Sequence, residues 1–280
     1  MSSQRPHADV PGMKLPTPRT PDPASAPALR WGLLGAGWIA SQLAISLRGT
    51  AQTVVAVGSR DLQRAQGFVD EHVPDARAHG SYADLVADPD VDAIHVASPH
   101  SEHLEHALLA VRTGKHVLVE KPLAPTADEA AQIVAAAREA GVFCMEAMWT
   151  RFLPHVDVLR QVLDAGLLGE VSTVLADHSI PLWPDGPERL ASPDLAGGAM
   201  LDLGIYPLSF ASLCLGGVTS AAGVGSLTDR GVDRRVAFVV QGPSGAVASC
   251  ATDMSVSSPT TASVNGTWAR LELETQFYTP

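Results

Sequence analysis

The chain is poor in sulfur and in aromatic rings, with three cysteines and 5% Phe, Trp and Tyr in 280 residues. Cys144, Cys214 and Cys250 stand far apart, and no Cys-x-x-Cys pair occurs. This excludes a disulfide framework and suits a reducing compartment, where the thiols serve as small buried apolar groups. Positive charge is also scarce. Against 30 Asp and Glu there are 19 Lys and Arg, for a net charge of −11. That balance repels phosphate backbones and speaks against nucleic acid or an anionic membrane as partner. No apolar run reads as long enough to cross a bilayer, and no basic N-terminal stretch precedes a hydrophobic one. The expected location is cytoplasmic. Gly-x-Ser-x-Gly elbows and Walker loops are absent too.

What is present is an apolar content of 46%, enough for a core in each of two domains. Residues 1–28 carry seven prolines. They read as an extended leader that takes no part in the fold. From Arg30 onward, short apolar runs alternate with helix-length segments: Trp31–Gly35, Thr53–Val57, Ala93–Ala97 and His116–Val119. Strands apolar on both faces and separated by helices predict a parallel sheet over residues 29–147. Thr126-x-x-Glu129 is a capping box opening a helix that Gly141 closes. Over 148–280 the pattern changes. One helix near Phe152–Leu163 leads into strand-like runs separated by turns such as Gly242–Gly245, which predicts an α+β domain with a mostly antiparallel sheet. The Gly223-Val-Gly225 pair reads as a turn.

Gly35-Ala-Gly37-Trp-Ile-Ala40 follows the first strand and opens the first helix. Gly35 permits the tight turn, Gly37 lets backbone approach a pyrophosphate, and Ala40 keeps helix and sheet close. Trp38 and Ile39 lie in the same cofactor-facing turn. The second strand ends in Gly58-Ser59-Arg60, where an NAD site usually carries a carboxylate. A hydroxyl and a guanidinium suit a 2′-phosphate, so NADP is expected ahead of NAD. The plainer reading of Arg60 is a solvated residue at a helix start.

Glu120-Lys121-Pro122 leaves a strand at the carboxyl edge, where a lysine can hold a substrate hydroxyl. Asp202 and Tyr206, four residues apart after a glycine-rich turn, share a face if the segment is helical. Tyr206 can accept a proton if a cation such as Lys121 lies near. Taken alone, Lys121 reads equally as a surface ion pair with Glu120, and Asp202 and Tyr206 read more readily as an N-terminal aspartate and a half-buried core tyrosine. His100, His103 and His106 recur every three residues, but no carboxylate or thiolate completes a site, and no metal is expected.

Taken in order, Gly35-x-Gly37-x-x-Ala40, Glu120-Lys121-Pro122, Glu146-Ala-Met-Trp-Thr-Arg-Phe152 and Asp202-Leu-Gly-Ile-Tyr206 resemble the Gfo/Idh/MocA oxidoreductase family. The third motif is most similar to the branch of dimeric dihydrodiol dehydrogenases and NADP-dependent D-xylose dehydrogenases. The resemblance runs from Arg30 to the C-terminus. It implies a Rossmann dinucleotide-binding domain followed by the α+β domain. It also implies catalytic roles for Lys121, Asp202 and Tyr206, and a substrate-lining role for Trp149. The loop Ser98-Pro99-His100, with His103 and Glu120, would run along the cofactor, and Lys121–Pro122 would be cis. The implied activity is hydride transfer between NADP and a sugar or cyclic diol, in a homodimer. One branch binds the cofactor without turnover, an alternative that the presence of both Lys121 and Tyr206 disfavours. Two departures stand out. Leu195-Ala-Gly-Gly198 replaces the usual Leu-Gly-Gly-Gly, and the chain stops at Pro280, short of the final helix and strand pairing that the resemblance leads one to expect.

Overall fold

The computed structural model describes residues 14–279. Its first half alternates β1 (Arg30–Leu34), α1 (Trp38–Ser46), β2 (Thr53–Gly58), α2 (Leu62–His72), β3 (Arg77–His79), α3 (Tyr82–Ala87), β4 (Ala93–Val96), α4 (His103–Arg112), β5 (His116–Val119), α5 (Ala127–Glu139) and β6 (Cys144–Glu146). All four residues of β4 are buried, so both faces of the sheet centre must be covered, and helical crossovers between parallel strands do this. The order is β3-β2-β1-β4-β5-β6, parallel throughout. The winding changes direction at β1, which opens a crevice beyond the carboxyl ends of β1 and β4. The capping box forms as read: Thr126 Oγ1 accepts from the Glu129 N–H and Glu129 Oε2 accepts from the Thr126 N–H, at 3.3 and 3.2 Å.

The second half comprises α6 (Pro154–Asp164), β7 (Val171–Ser179), α7 (Glu188–Ala191), α8 (Ile205–Leu215), β8 (Ser220–Leu227), β9 (Asp233–Gln241), β10 (Val247–Asp253), β11 (Ala262–Gly266) and β12 (Arg270–Leu273). The sheet order is β12-β11-β7-β10-β9-β8. All neighbours are antiparallel except β7 and β10. Helices α6 and α8 cover one face, with Leu159, Val162, Phe210 and Ala211 buried on Val174, Ala176, Val240 and Ala248. The opposite face leaves Leu175, Val224, Val239 and Val247 exposed.

Several expectations are corrected. The first 13 residues of the proline-rich segment lie outside the described residues, but the remainder does join the fold. Arg19 donates to Asp157 on α6 through its backbone N–H at 2.7 Å and Nη2 at 2.9 Å, and Gln161 donates to the Thr17 carbonyl at 2.9 Å. Nearer the first sheet, Gln52 donates to the Pro27 carbonyl at 2.8 Å. Gly223-Val-Gly225 is not a turn but the middle of β8, paired with Phe238 to Val236. A Cβ on Gly225 would stand 2.6 Å from the Arg235 carbonyl oxygen, so the glycine lets the two backbones close up. Cys144 is only half-buried, whereas Cys214 and Cys250 share the second core. The stretch Pro193–Leu215 is long and apolar enough to span a bilayer by length and composition. Here it comprises a short turn at Pro193–Leu195, a wide turn at Met200–Gly204 and helix α8, and Phe210, Ala211, Cys214 and Leu215 are buried in the protein core.

The departure at Ala196 has a conformational cost. Its φ of 52° and ψ of 50° place it in the left-handed region, where a Cβ meets the following carbonyl at a cost of roughly 1–2 kcal/mol. Ala196→Gly should therefore stabilise the folded chain by about 1 kcal/mol in denaturant titrations, part of the gain being offset by glycine's unfolded-state entropy.

Candidate active site

The turn between β1 and α1 is shaped for an anion. Gly35 has φ of 109°, and a Cβ there would lie 2.8 Å from the Ala97 carbonyl oxygen. Gly37 caps α1 with extended backbone and no side-chain cap. A Cβ on Gly37 would meet no atom of the described residues within 4 Å, which leaves open space in front of the first N–H groups of the helix. Ala40 is wholly buried against the sheet, while Trp38 is 74% exposed and Ile39 half-buried at the turn. At the end of β2, Ser59 is buried and Arg60 exposed. Arg64, one turn into α2 and not singled out by sequence reasoning, points Nε and Nη2 at the Ala36 carbonyl, each 3.4 Å away. These residues fit a dinucleotide: a cradle free of side chains for the pyrophosphate, with two guanidiniums beside the second strand.

Across the crevice, Lys121 follows β5 through a cis Lys121–Pro122 bond. Its ammonium donates to the Asp202 carbonyl at 2.8 Å and to Asp202 Oδ1 at 3.0 Å. Asp202 lies on a wide π-type turn, Met200–Gly204, that runs into α8. The face shared with Tyr206 is therefore that of a π-turn followed by a helix rather than of one regular helix. The same Oδ1 accepts from Arg189 Nη1 at 3.1 Å, a partner that was also missed. Burial would raise the Asp202 carboxyl, but Lys121 and Arg189 outweigh it and hold it at about 2. His100 Nε2 lies 4.0 Å from Oδ1. It is no ion pair at neutral pH, because burial pushes this imidazole down to about 4. Two cations thus face one carboxylate, and the site carries excess positive charge.

Lys121 Nζ stands 5.3 Å from the Tyr206 ring centroid, over the ring rather than bonded to the hydroxyl. That hydroxyl accepts instead from Trp149 Nε1 at 3.4 Å. Trp149 is 40% exposed and opens the turn Trp149–Phe152. Arg151 anchors this turn on α8 by donating to Ser209 Oγ at 3.0 Å. Two further aromatic residues complete the cluster without any sequence signal: Tyr278, edge-on to Trp149, and His178, edge-on to Tyr206.

Histidines tie the loops together. His103, expected along the cofactor, is fully buried beneath the loop. Its Nδ1 and Nε2 stand 2.8 and 3.0 Å from the carbonyls of Pro122 and Ser98, so it holds the two loops rather than facing the crevice. His106 Nδ1 meets Ser98 Oγ at 2.9 Å, and His100 Nδ1 donates to the carbonyl of Ala196 at 3.0 Å. Ser98 and Pro99, between them, stay half-buried at the crevice edge. Glu120 takes His95 Nε2 at 2.9 Å, and Glu146 Oε1 accepts from the Leu123 N–H at 2.8 Å, bracing the segment after Pro122.

This burial has a pH signature. His100 and His178 titrate at about 4 in the fold, both lowered chiefly by burial, against 6.5 when unfolded. Between those values the unfolded chain binds protons that the folded chain does not, so stability rises with pH there. Thermal melts should show stability falling as pH drops from about 6.5 to about 4, and falling further below the ordinary Asp value of 3.8 as Asp202 loses its charge. A His100→Gln/His178→Gln double variant should flatten the upper part of that curve.

Comparisons with known proteins agree with the two-part fold. Residues 29–148 match the oxidoreductase family with an NAD-binding Rossmann fold, and residues 156–272 match the GFO/IDH/MocA C-terminal domain. The chain is 40% identical over 259 residues to the trans-1,2-dihydrobenzene-1,2-diol dehydrogenase of Bos taurus, an alignment covering 90% of this chain and 76% of that protein. Among solved structures, the aldose-aldose oxidoreductase of Caulobacter crescentus, complexed with glycerol, is similar at 27% identity. Its TM-score is 0.82, with 90% of this chain and 78% of that one covered. KijD10, a 3-ketoreductase from Actinomadura kijaniata in complex with NADP and TDP-benzene, is similar at 30% identity and a TM-score of 0.79, covering 91% and 78%. With both halves matched in order, the chain belongs to the Gfo/Idh/MocA oxidoreductase family.

Proposed function

We propose that this oxidoreductase is NADP-dependent and oxidises or reduces a hydroxyl-bearing carbon of a cyclic diol or sugar. The observation that carries the reading is the Lys121 ammonium. It has three N–H bonds, and two are spent on Asp202. The third is available to a substrate oxygen beside the Tyr206 hydroxyl. When bound, nicotinamide supplies the hydride acceptor or donor.

In the oxidation direction the substrate carbon loses a hydride and its hydroxyl loses a proton. Tyr206 is placed to take on that proton and pass it on, with the N–H of Trp149 directed at its hydroxyl oxygen. Lys121 holds the substrate oxygen and, with Arg189, favours the negative charge that develops on it. Asp202 contributes by fixing the ammonium, since Oδ1 is taken by both cations. Trp149 and Tyr278 meet edge-on beside Tyr206 and shield its ring from solvent on that side. The names of the Bos taurus and Caulobacter relatives support a polyhydroxylated substrate. Arg60 and Arg64, with no carboxylate at the end of β2, support NADP over NAD. The exposed apolar side chains on the second sheet support a homodimer that buries this face.

Lys121→Ala and Tyr206→Phe should each lower kcat by about 10²–10⁴-fold, with NADP⁺ affinity close to wild type in fluorescence titration. Loss of cofactor binding in both would overturn the assignment of roles. Arg60→Ala/Arg64→Ala should raise KM for NADP⁺ by about 10–100-fold while KM for NAD⁺ barely moves, as expected from losing charge-assisted contacts to a 2′-phosphate.

A further inference from the structure

His178 has no part in the chemistry above, yet it is 1% exposed and lies against the Tyr206 ring. It sits near the end of β7, where its backbone carbonyl accepts from Thr252 Oγ1 at 2.9 Å. Its side chain is not so provided for: Nδ1 is buried and has no hydrogen-bond partner among the described residues. Tyr206 meets the imidazole edge-on at 5.2 Å between centroids, and Tyr278 covers it at 4.3 Å. Lys121 and Asp202 are close enough to perturb its titration, and burial with the Lys121 charge keeps it neutral at pH 7. A buried polar atom left unpaired is costly, and a phenylalanine would fill such an aromatic niche without that cost. An imidazole with an unpartnered nitrogen, packed on the ring of the proposed proton acceptor, thus has one polar group to offer a ligand. Tyr278, on the turn after β12, packs on both His178 and Tyr206, so the imidazole belongs to the same aromatic cluster as the proposed proton acceptor.

We propose that His178 is the specificity-determining residue for a second hydroxyl: its Nδ1 pairs with the hydroxyl vicinal to the one held by Lys121 and Tyr206. The inference rests on the functional reading above and narrows it, because the site then selects vicinal diols over isolated alcohols. A site built around a hydrogen bond rejects the analogue that lacks the matching group, since its own polar atom stays unpaired.

The test uses the full chain with NADP⁺ and two substrate pairs, trans-1,2-cyclohexanediol against cyclohexanol and D-glucose against 2-deoxy-D-glucose. Wild type should prefer the vicinal diol of at least one pair. In His178→Phe, kcat/KM for that diol should fall about 10–100-fold, with that for the matched mono-alcohol or deoxy sugar unchanged and a melting temperature no lower than wild type. His178→Gln, which restores a polar group, should recover part of the preference. Equal losses on both members of a pair, or no loss on either, would overturn the role of His178 while leaving the dehydrogenase intact. Wild type that binds NADP⁺ but oxidises none of the four compounds would overturn the functional reading and the inference together.

Discussion

The contact between Lys121 and Asp202 is the constraint on which the site depends. One partner leaves the last long strand of the cofactor half, and the other sits on the π-turn that begins the main helix of the second half. Both are largely removed from water, and the carboxylate is tolerable there because Lys121 and Arg189 both face it. Removing Lys121 leaves the carboxylate on Arg189, whereas removing Asp202 leaves the buried ammonium without its counter-charge, a loss of about 3–5 kcal/mol. The contact therefore aligns the two halves as well as placing an ammonium. Arg189 adds a second cation to the same carboxylate oxygen, which anchors Asp202 and leaves Lys121 a donor to spare.

Around this pair the chain uses histidine as a scaffold that ties loops together. His100, His103 and His106 sit in the pattern that first suggests a metal, but each turns a ring nitrogen toward a loop carbonyl or hydroxyl. Burial lowers all three, His100 to about 4, and the cations that touch Asp202 are Lys121 and Arg189. That separation matters for hydride chemistry. A fixed cation stabilises developing alkoxide, whereas imidazolium groups nearby would make the field vary with pH across the working range.

Much of the cofactor half was legible because its signals are local. The strand of β1, the glycine turn and the start of α1 are contiguous, and Thr126 and Glu129 cap a helix from three residues apart. The second half was harder. Gly223 and Gly225 look like a turn in one dimension and form a strand because β9 lies alongside. The leader looks inert until Asp157, more than a hundred residues later, meets Arg19. Asp202 and Tyr206 were named from spacing, but the wide turn between them was invisible because it depends on packing around Met200 and Gly204.

The sequence by itself determined the parallel sheet, the dinucleotide turn and the identity of Lys121, Asp202, Tyr206 and Trp149 as candidates. Those features are encoded by residue type at short range, through φ freedom, hydrophobic periodicity and motif order. Only the tertiary structure decided that Lys121 spends two donors on Asp202, that Arg189 shares the carboxylate and that Arg64 reaches the glycine turn. It also decided that His178 and Tyr278 join the aromatic cluster. These are contacts between segments far apart in the chain, and their energies come from burial and charge, which no local pattern records.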